Sequence, residues 1–333
     1  MGERIGSTRV AGLASKDRIT AEDVVILRRE VFTDGVVSRG EAEALFALDA
    51  SATNKCQEWP PFFVEAVTDY IVHQEKPAGY ISEGNADWLV QTISRDGMVD
   101  SRTELELLVH VLETAKSSPS KLSAYALEQV GHAVIDGKGP LMLGGDLVPG
   151  LIAKAEVNLL RRILYAYGGD GNIAITRAEA EVLFKIDERT AAASNDPSWN
   201  DLFVKAIANF VMCSAGYEAP TREVALRRDS FFEQADAEIG GFFGRMVSGG
   251  LAAIMEAYRA PDDIETEWEA RNRASEALAR RAETIDAGEA KWLAERIGGD
   301  RPLRENERAL LTLIKHASPE IHPALKPLLD KVA

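Results

Sequence analysis

The segment FFVEAVTDYIVH at 62–73 is written a second time, 140 residues later, as LFVKAIANFVMC at 202–213. Phe63/Phe203, Val64/Val204 and Ala66/Ala206 are identical, and Val67/Ile207, Tyr70/Phe210, Ile71/Val211 and Val72/Met212 keep their apolar character. One polar column is rewritten: Glu65, Asp69 and His73 become Lys205, Asn209 and Cys213. A chain that repeats an apolar face and changes a polar one needs the first for burial. The second is free to serve something else.

The repetition runs well beyond this helix. Ile26-Leu27-Arg28-Arg29 pairs with Leu159-Leu160-Arg161-Arg162, SRGEAEALFALD (38–49) with TRAEAEVLFKID (176–187), and Trp59 with Trp199. These stretches define a unit A and its copy A'. A unit B follows each: NADWLVQTISRDG (85–97) pairs with EAKWLAERIGGDR (289–301), and ELELLVHVLETAKSSP (104–119) with ERALLTLIKHASP (307–319). The order A, B, A', B' describes duplication of a pair of units.

Apolar residues recur at spacings of three and four, and sustained alternation of period two is missing, which predicts an all-α fold of tandem helical-bundle units. Helix starts are marked by capping boxes at Thr20–Asp23, Ser38–Glu41, Ser101–Glu104 and Thr176–Glu179. The Gly- and Pro-rich VIDGKGPLMLGGDLVPG (134–150) reads as a linker or a tight loop between halves. The expected organisation is a tail at 1–18, a first half at 19–135, a linker at 136–150 and a second half at 151–333. An insertion at 216–282 has no counterpart in the first half, and within it Gly240, Gly244, Ser248 and Ala252 lie four apart. That ridge predicts close helix packing, either in the core or across a homodimer through 238–258.

With 333 residues, 46% of them hydrophobic, the chain can bury more than one core. A formal charge of −15 argues against a nucleic-acid surface, which needs clustered Lys and Arg. Arg245 and Glu256 interrupt the insertion's apolar run and its basic charge is poor, which argues against a membrane surface as partner. No apolar h-region opens the sequence and no uncharged stretch of about 18 apolar residues occurs, so a cytoplasmic protein is expected. Cys56 and Cys213 occupy non-equivalent places and read as thiols.

Four loops lead into capped helices: TDGVVSRGE (33–41), RDGMVDSRTE (95–104), GDGNIAITRAE (169–179) and DRPLRENE (300–307). An EF-hand needs alternating oxygen ligands, a sixth-place Gly and a twelfth-place Glu, but aligning Ile175 with the eighth place puts Gly168 at the first and Ile173 at the sixth, and the other loops fit worse. Asp34, Gly35, Val37, Ser38 and Glu41 resemble the Asp-Gly loop of TerB-like helical domains, the tellurite-resistance family. Asp96, Gly97, Val99 and Glu104 match with one extra residue, and Asp170, Gly171, Ile175, Thr176 and Glu179 with two. In B' the Gly and Ser give way to Arg301 and Arg304, leaving Asp300 and Glu307. The resemblance implies duplicated TerB-like units, a metal held by acidic side chains, and a part in bacterial stress-related assemblies at the membrane rather than an enzyme's role.

On a helix Glu65, Asp69 and His73 form one stripe, and with Asp34 or Glu41 alongside they could converge on a divalent cation. The same stripe also fits a solvated helix edge, with His73 favouring the helix C-terminus. Lys205 and Asn209 remove the charge from the second copy. No GxSxG elbow, HExxH, Walker loop or dinucleotide fingerprint is present. Two readings follow. The first is a non-enzymatic interaction or scaffold protein with a protein partner, its first half able to hold a metal. The alternative is a metal-dependent hydrolase using Asp34, Glu41, Glu65, Asp69 and His73.

Overall fold

A computed structural model describes residues 17–31, 37–95, 97–144, 147–166, 175–212, 285, 287–297, 301–318 and 321–332. The all-α expectation holds across them. The first half contains α1 (Ala21–Val31), α2 (Arg39–Ser51), α3 (Trp59–Thr68) continued by a π-helix (Asp69–Gln74), α4 (Glu83–Ile93), α5 (Arg102–Thr114) and α6 (Ser120–Asp136). The second contains α7 (Lys154–Tyr165), α8 (Arg177–Thr190), α9 (Pro197–Met212), α10 (Ala287–Ile297), α11 (Glu305–Ala317) and the short α12 (Lys326–Leu329). Among the described residues strand is confined to two-residue pieces: β1 (Arg18–Ile19) pairs in parallel with β2 (Asn54–Lys55), and β3 (Ser94–Arg95) pairs antiparallel with β4 (Met98–Val99). No described helix is long and apolar enough to cross a membrane.

Each predicted capping box starts its helix. Ser38 Oγ accepts from the Glu41 N–H while Glu41 Oε2 accepts from the Ser38 N–H at 2.9 Å. Thr176 and Glu179 repeat this reciprocity, Thr20 and Asp23 use the shorter acid, and Ser101 Oγ accepts from the Glu104 N–H. These bonds satisfy donors that a helix start leaves open. At the other end of α6, Gly137 takes φ +62°, and a Cβ there would come 2.9 Å from Pro149. Only glycine closes the helix so tightly.

The core of the first half is built around α3. Trp59, Phe62, Phe63, Ala66, Val67 and Ile71 are fully buried. Phe63 meets Phe46 edge to face at 5.0 Å, and Trp59 donates its indole N–H to Asp49 at 2.6 Å. Helices α2, α1 and α5 pack around α3. The same relations occur on the other side of the 136–150 segment. Phe203 meets Phe184 edge to face at 5.1 Å, Trp199 donates to Asp187 at 3.2 Å, and Asp196 N–H donates to Ile152 O much as Cys56 N–H donates to Ile19 O. Tyr70 stands edge-on to Trp88, and Phe210 edge-on to Trp292. Parallel bridges Tyr80–Ser117 and Ile285–Ile321 flank the two B segments.

Packing groups the chain into two bodies, Met1–Ala206 and Ile207–Ala333, a partition different from the repeat halves. The physical reason is α6, which follows unit B in sequence but lies against α8 and α7 of A'. Residues 140–144 of the expected linker form a 3-10 turn seated on α5 and α6. The tail before residue 17, the Asp-Gly pairs at 34–35 and 170–171, Asp96, Asp300 and the insertion with its ridge at 238–258 lie outside the described residues.

Candidate functional site

Two members of the polar column, Glu65 and Asp69, are bonded by other side chains of the protein. Glu65 points away from the core and accepts two bonds from the Arg28 guanidinium of α1, at 2.6 and 3.3 Å, while that guanidinium also lies over the Phe62 ring. Both partners are about half exposed, at 51% and 53% of their side-chain surface, so this pair is solvent-screened. Arg161 stands at the place of Arg28 in the second copy, and Lys205 turns instead to Asp201 on its own helix at 2.7 Å. The column is therefore rewritten as a change of ion-pair partner.

Asp69 and His73 sit where α3 widens into the π-helix. One π turn separates Asp69 from Gln74, and Gln74 Nε2 donates to Asp69 Oδ2 at 2.9 Å. His73 is exposed. Thr68, at the junction, is buried with its hydroxyl unpartnered, whereas its counterpart Ala208 lies in an α9 that stays α-helical through Met212. Glu41 is buried and committed to its capping box, and Asp34 lies outside the described residues. Among the described residues no group of three or more His, Cys, Asp or Glu side chains is placed to hold a metal ion.

The acid that opens the second helix of each unit is buried in all four: Glu41, Glu104, Glu179 and Glu307. Their surroundings differ. Burial pushes the Glu104 carboxyl above its usual range against the Ser101 hydroxyl, with Asp49 and Asp100 adding to the rise. Burial likewise raises Glu179 against hydrogen bonds from Thr176 and Ser123. For Glu307 burial also acts upward, but Arg301 and Arg304 donate to it at 2.6 to 3.0 Å and hold it below the usual value. The two arginines that break the loop motif in B' thus neutralise the acid that the motif buries.

A docking face is the feature that motif reading missed. Helix α7 of A' packs on α5 of unit B and on α6. Arg162 joins α7 to α5 by bonding Glu113 at 2.7 and 2.9 Å and Glu106 at 2.8 and 3.3 Å. Glu113 and Glu106 raise the Arg162 pKa further. A hollow of about 540 Å³ beside this seam is lined by Glu113, Asn158, Arg161, Arg162, Tyr165 and Ala166. The available signal was the stripe Glu106, His110, Glu113 on one face of α5, a spacing that places all three side by side. No family model, curated protein or solved structure matches the chain.

Proposed function

We propose that this chain is a non-enzymatic interaction protein of four related TerB-like units, two of them copies of the other two, that act through their helix faces. The observation that carries this reading is the α7–α5 seam, where one unit already serves as a binding surface for another through the Arg162 network. The corresponding face of α1 leaves Val25 and Ile26 half exposed, at 50% and 43%. The TerB-like resemblance supports a stress-linked setting, and the cytoplasm is proposed from the sequence pattern alone. The hydrolase alternative needs Glu65 and Asp69 as ligands, and both are engaged, by Arg28 and Gln74. A metal in the first half would have to displace Arg28 first.

Site-specific photo-crosslinking in the source cell tests this. A photoreactive residue at Ile26 should give an adduct of one discrete mass, while the same residue at exposed Lys185 should not. Indistinguishable patterns from the two positions would overturn the reading.

A further inference from the structure

Among the described residues four large apolar side chains are exposed: Val25, Ile26, Val148 and Leu313. Three of them occupy related places in the repeat. Aligning A with A' puts Val25 and Ile26 at the positions of Asn158 and Leu159. Leu159 is one turn from Arg162 and only part-exposed, and Asn158, exposed at the rim of the seam, lines the hollow with Glu113. Aligning B with B' puts Leu313 at the position of His110, between Glu106 and Glu113 on the α5 face that receives Arg162. The exposed apolar residues thus mark the two places where the internal seam has a counterpart: the A side, on α1, and the B side, on α11.

We propose that α1 of one copy of this chain packs on α11 of a second copy in the manner of α7 on α5, giving a head-to-tail contact. This deepens the interaction reading and rests on it. Composition supports a second copy as occupant, because each open face is more apolar than its internal counterpart: Val25 replaces Asn158, Leu313 replaces His110, and Ala309 replaces Glu106. His316 stands for Glu113, so the carboxylates that bind Arg162 have no equivalent on α11. The contact between copies is therefore driven by apolar burial and is insensitive to salt, unlike the ion-paired seam. Such a contact joins different surfaces and continues into a chain or closes into a ring.

Sedimentation velocity of the full-length protein over a range of concentrations tests the contact. The wild type should exceed monomer mass as concentration rises, with little change on adding salt. Val25→Asp/Ile26→Asp and Leu313→Asp should each be monomeric, and an equimolar mixture of the two should form a dimer that grows no further, since each supplies the face the other lacks. The milder Ile26→Ser and Leu313→Ser replace any aspartate variant whose circular dichroism shows loss of fold. A mixture that stays monomeric, or assembly lost only in the α1 variant, overturns the head-to-tail contact. A wild type that is monomeric throughout also overturns it, and a discrete adduct from position 26 to a different protein would then leave the interaction reading standing. Monomer with no such adduct brings down both.

Discussion

Trp59 donates its indole N–H to Asp49 at 2.6 Å with both side chains buried, and Lys55 closes on the same carboxylate at 2.7 Å. The bond ties the start of α3 to the end of α2. Trp199 and Asp187 make the same tie between α9 and α8. Asp49→Ala should therefore destabilise the protein by about 1 to 3 kcal/mol, the usual effect of orphaning a buried donor. Asp49→Asn keeps an acceptor and should lose less. Urea unfolding followed by tryptophan fluorescence reads both, and equal losses would show that packing at the site outweighs the bond.

The two faces of α3 should respond very differently to truncation. Phe63→Ala removes a fully buried ring and should cost about 3 to 5 kcal/mol. Glu65→Ala breaks an exposed ion pair and should cost less than about 1 kcal/mol. With Arg28 holding Glu65, addition of Mg, Ca, Mn or Zn should leave the melting temperature unchanged. A metal-dependent rise that Glu65→Ala abolishes would restore the metal reading of the column.

Much of this contrast was legible from the repeat. Phe63, Ala66 and Val67 recur as Phe203, Ala206 and Ile207 because burial constrains them, and the capping boxes were readable because their partners lie three residues apart. The fate of Glu65 was not. Its partner Arg28 is 37 residues away, and only the packing of α1 on α3 brings the two together. Spacing also treats every helix as α, so it could not foresee a π turn setting Asp69 beside Gln74. The α7–α5 seam joins residues 49 and 56 apart in sequence, beyond the reach of any local pattern.

The buried acids should respond to pH in opposite directions. Glu104 and Glu179 have folded-state values raised above 4.5, so their contribution is fully present below pH 4.5 and is lost as pH rises through the folded value. Glu307 is lowered, so its contribution is present above pH 4.5 and is lost as pH falls through its folded value. Glu104→Gln should flatten the loss just above pH 4.5. Arg304→Ser, which installs the residue found at Ser38 and Ser101, should move the Glu307 titration upward. Carboxyl NMR titration checks both directions.

Arg162→Met should loosen α7 from α5. Its partners are 31% and 50% exposed, so screening holds the cost to about 1 kcal/mol, declining with added salt. Arg162→Lys should lose much of the same amount, because an ammonium cannot bond two carboxylates in the planar, bidentate manner of a guanidinium. Double-mutant cycles with Glu106→Gln and Glu113→Gln measure the coupling, and no coupling with either would remove the network from the seam.

In the proposed contact α1 and α7 are counterparts whose shared face is docked in α7 and open in α1. Backbone hydrogen exchange on the full-length protein compares them directly. At low protein concentration residues 154–165 should exchange far more slowly than residues 21–31. At high concentration 21–31 and 305–317 should slow together while 154–165 and 102–114 stay unchanged. Equal exchange in 21–31 and 154–165 at low concentration, with no response of 21–31 to concentration, would show that the α1 face is not an open counterpart of the α7 seam.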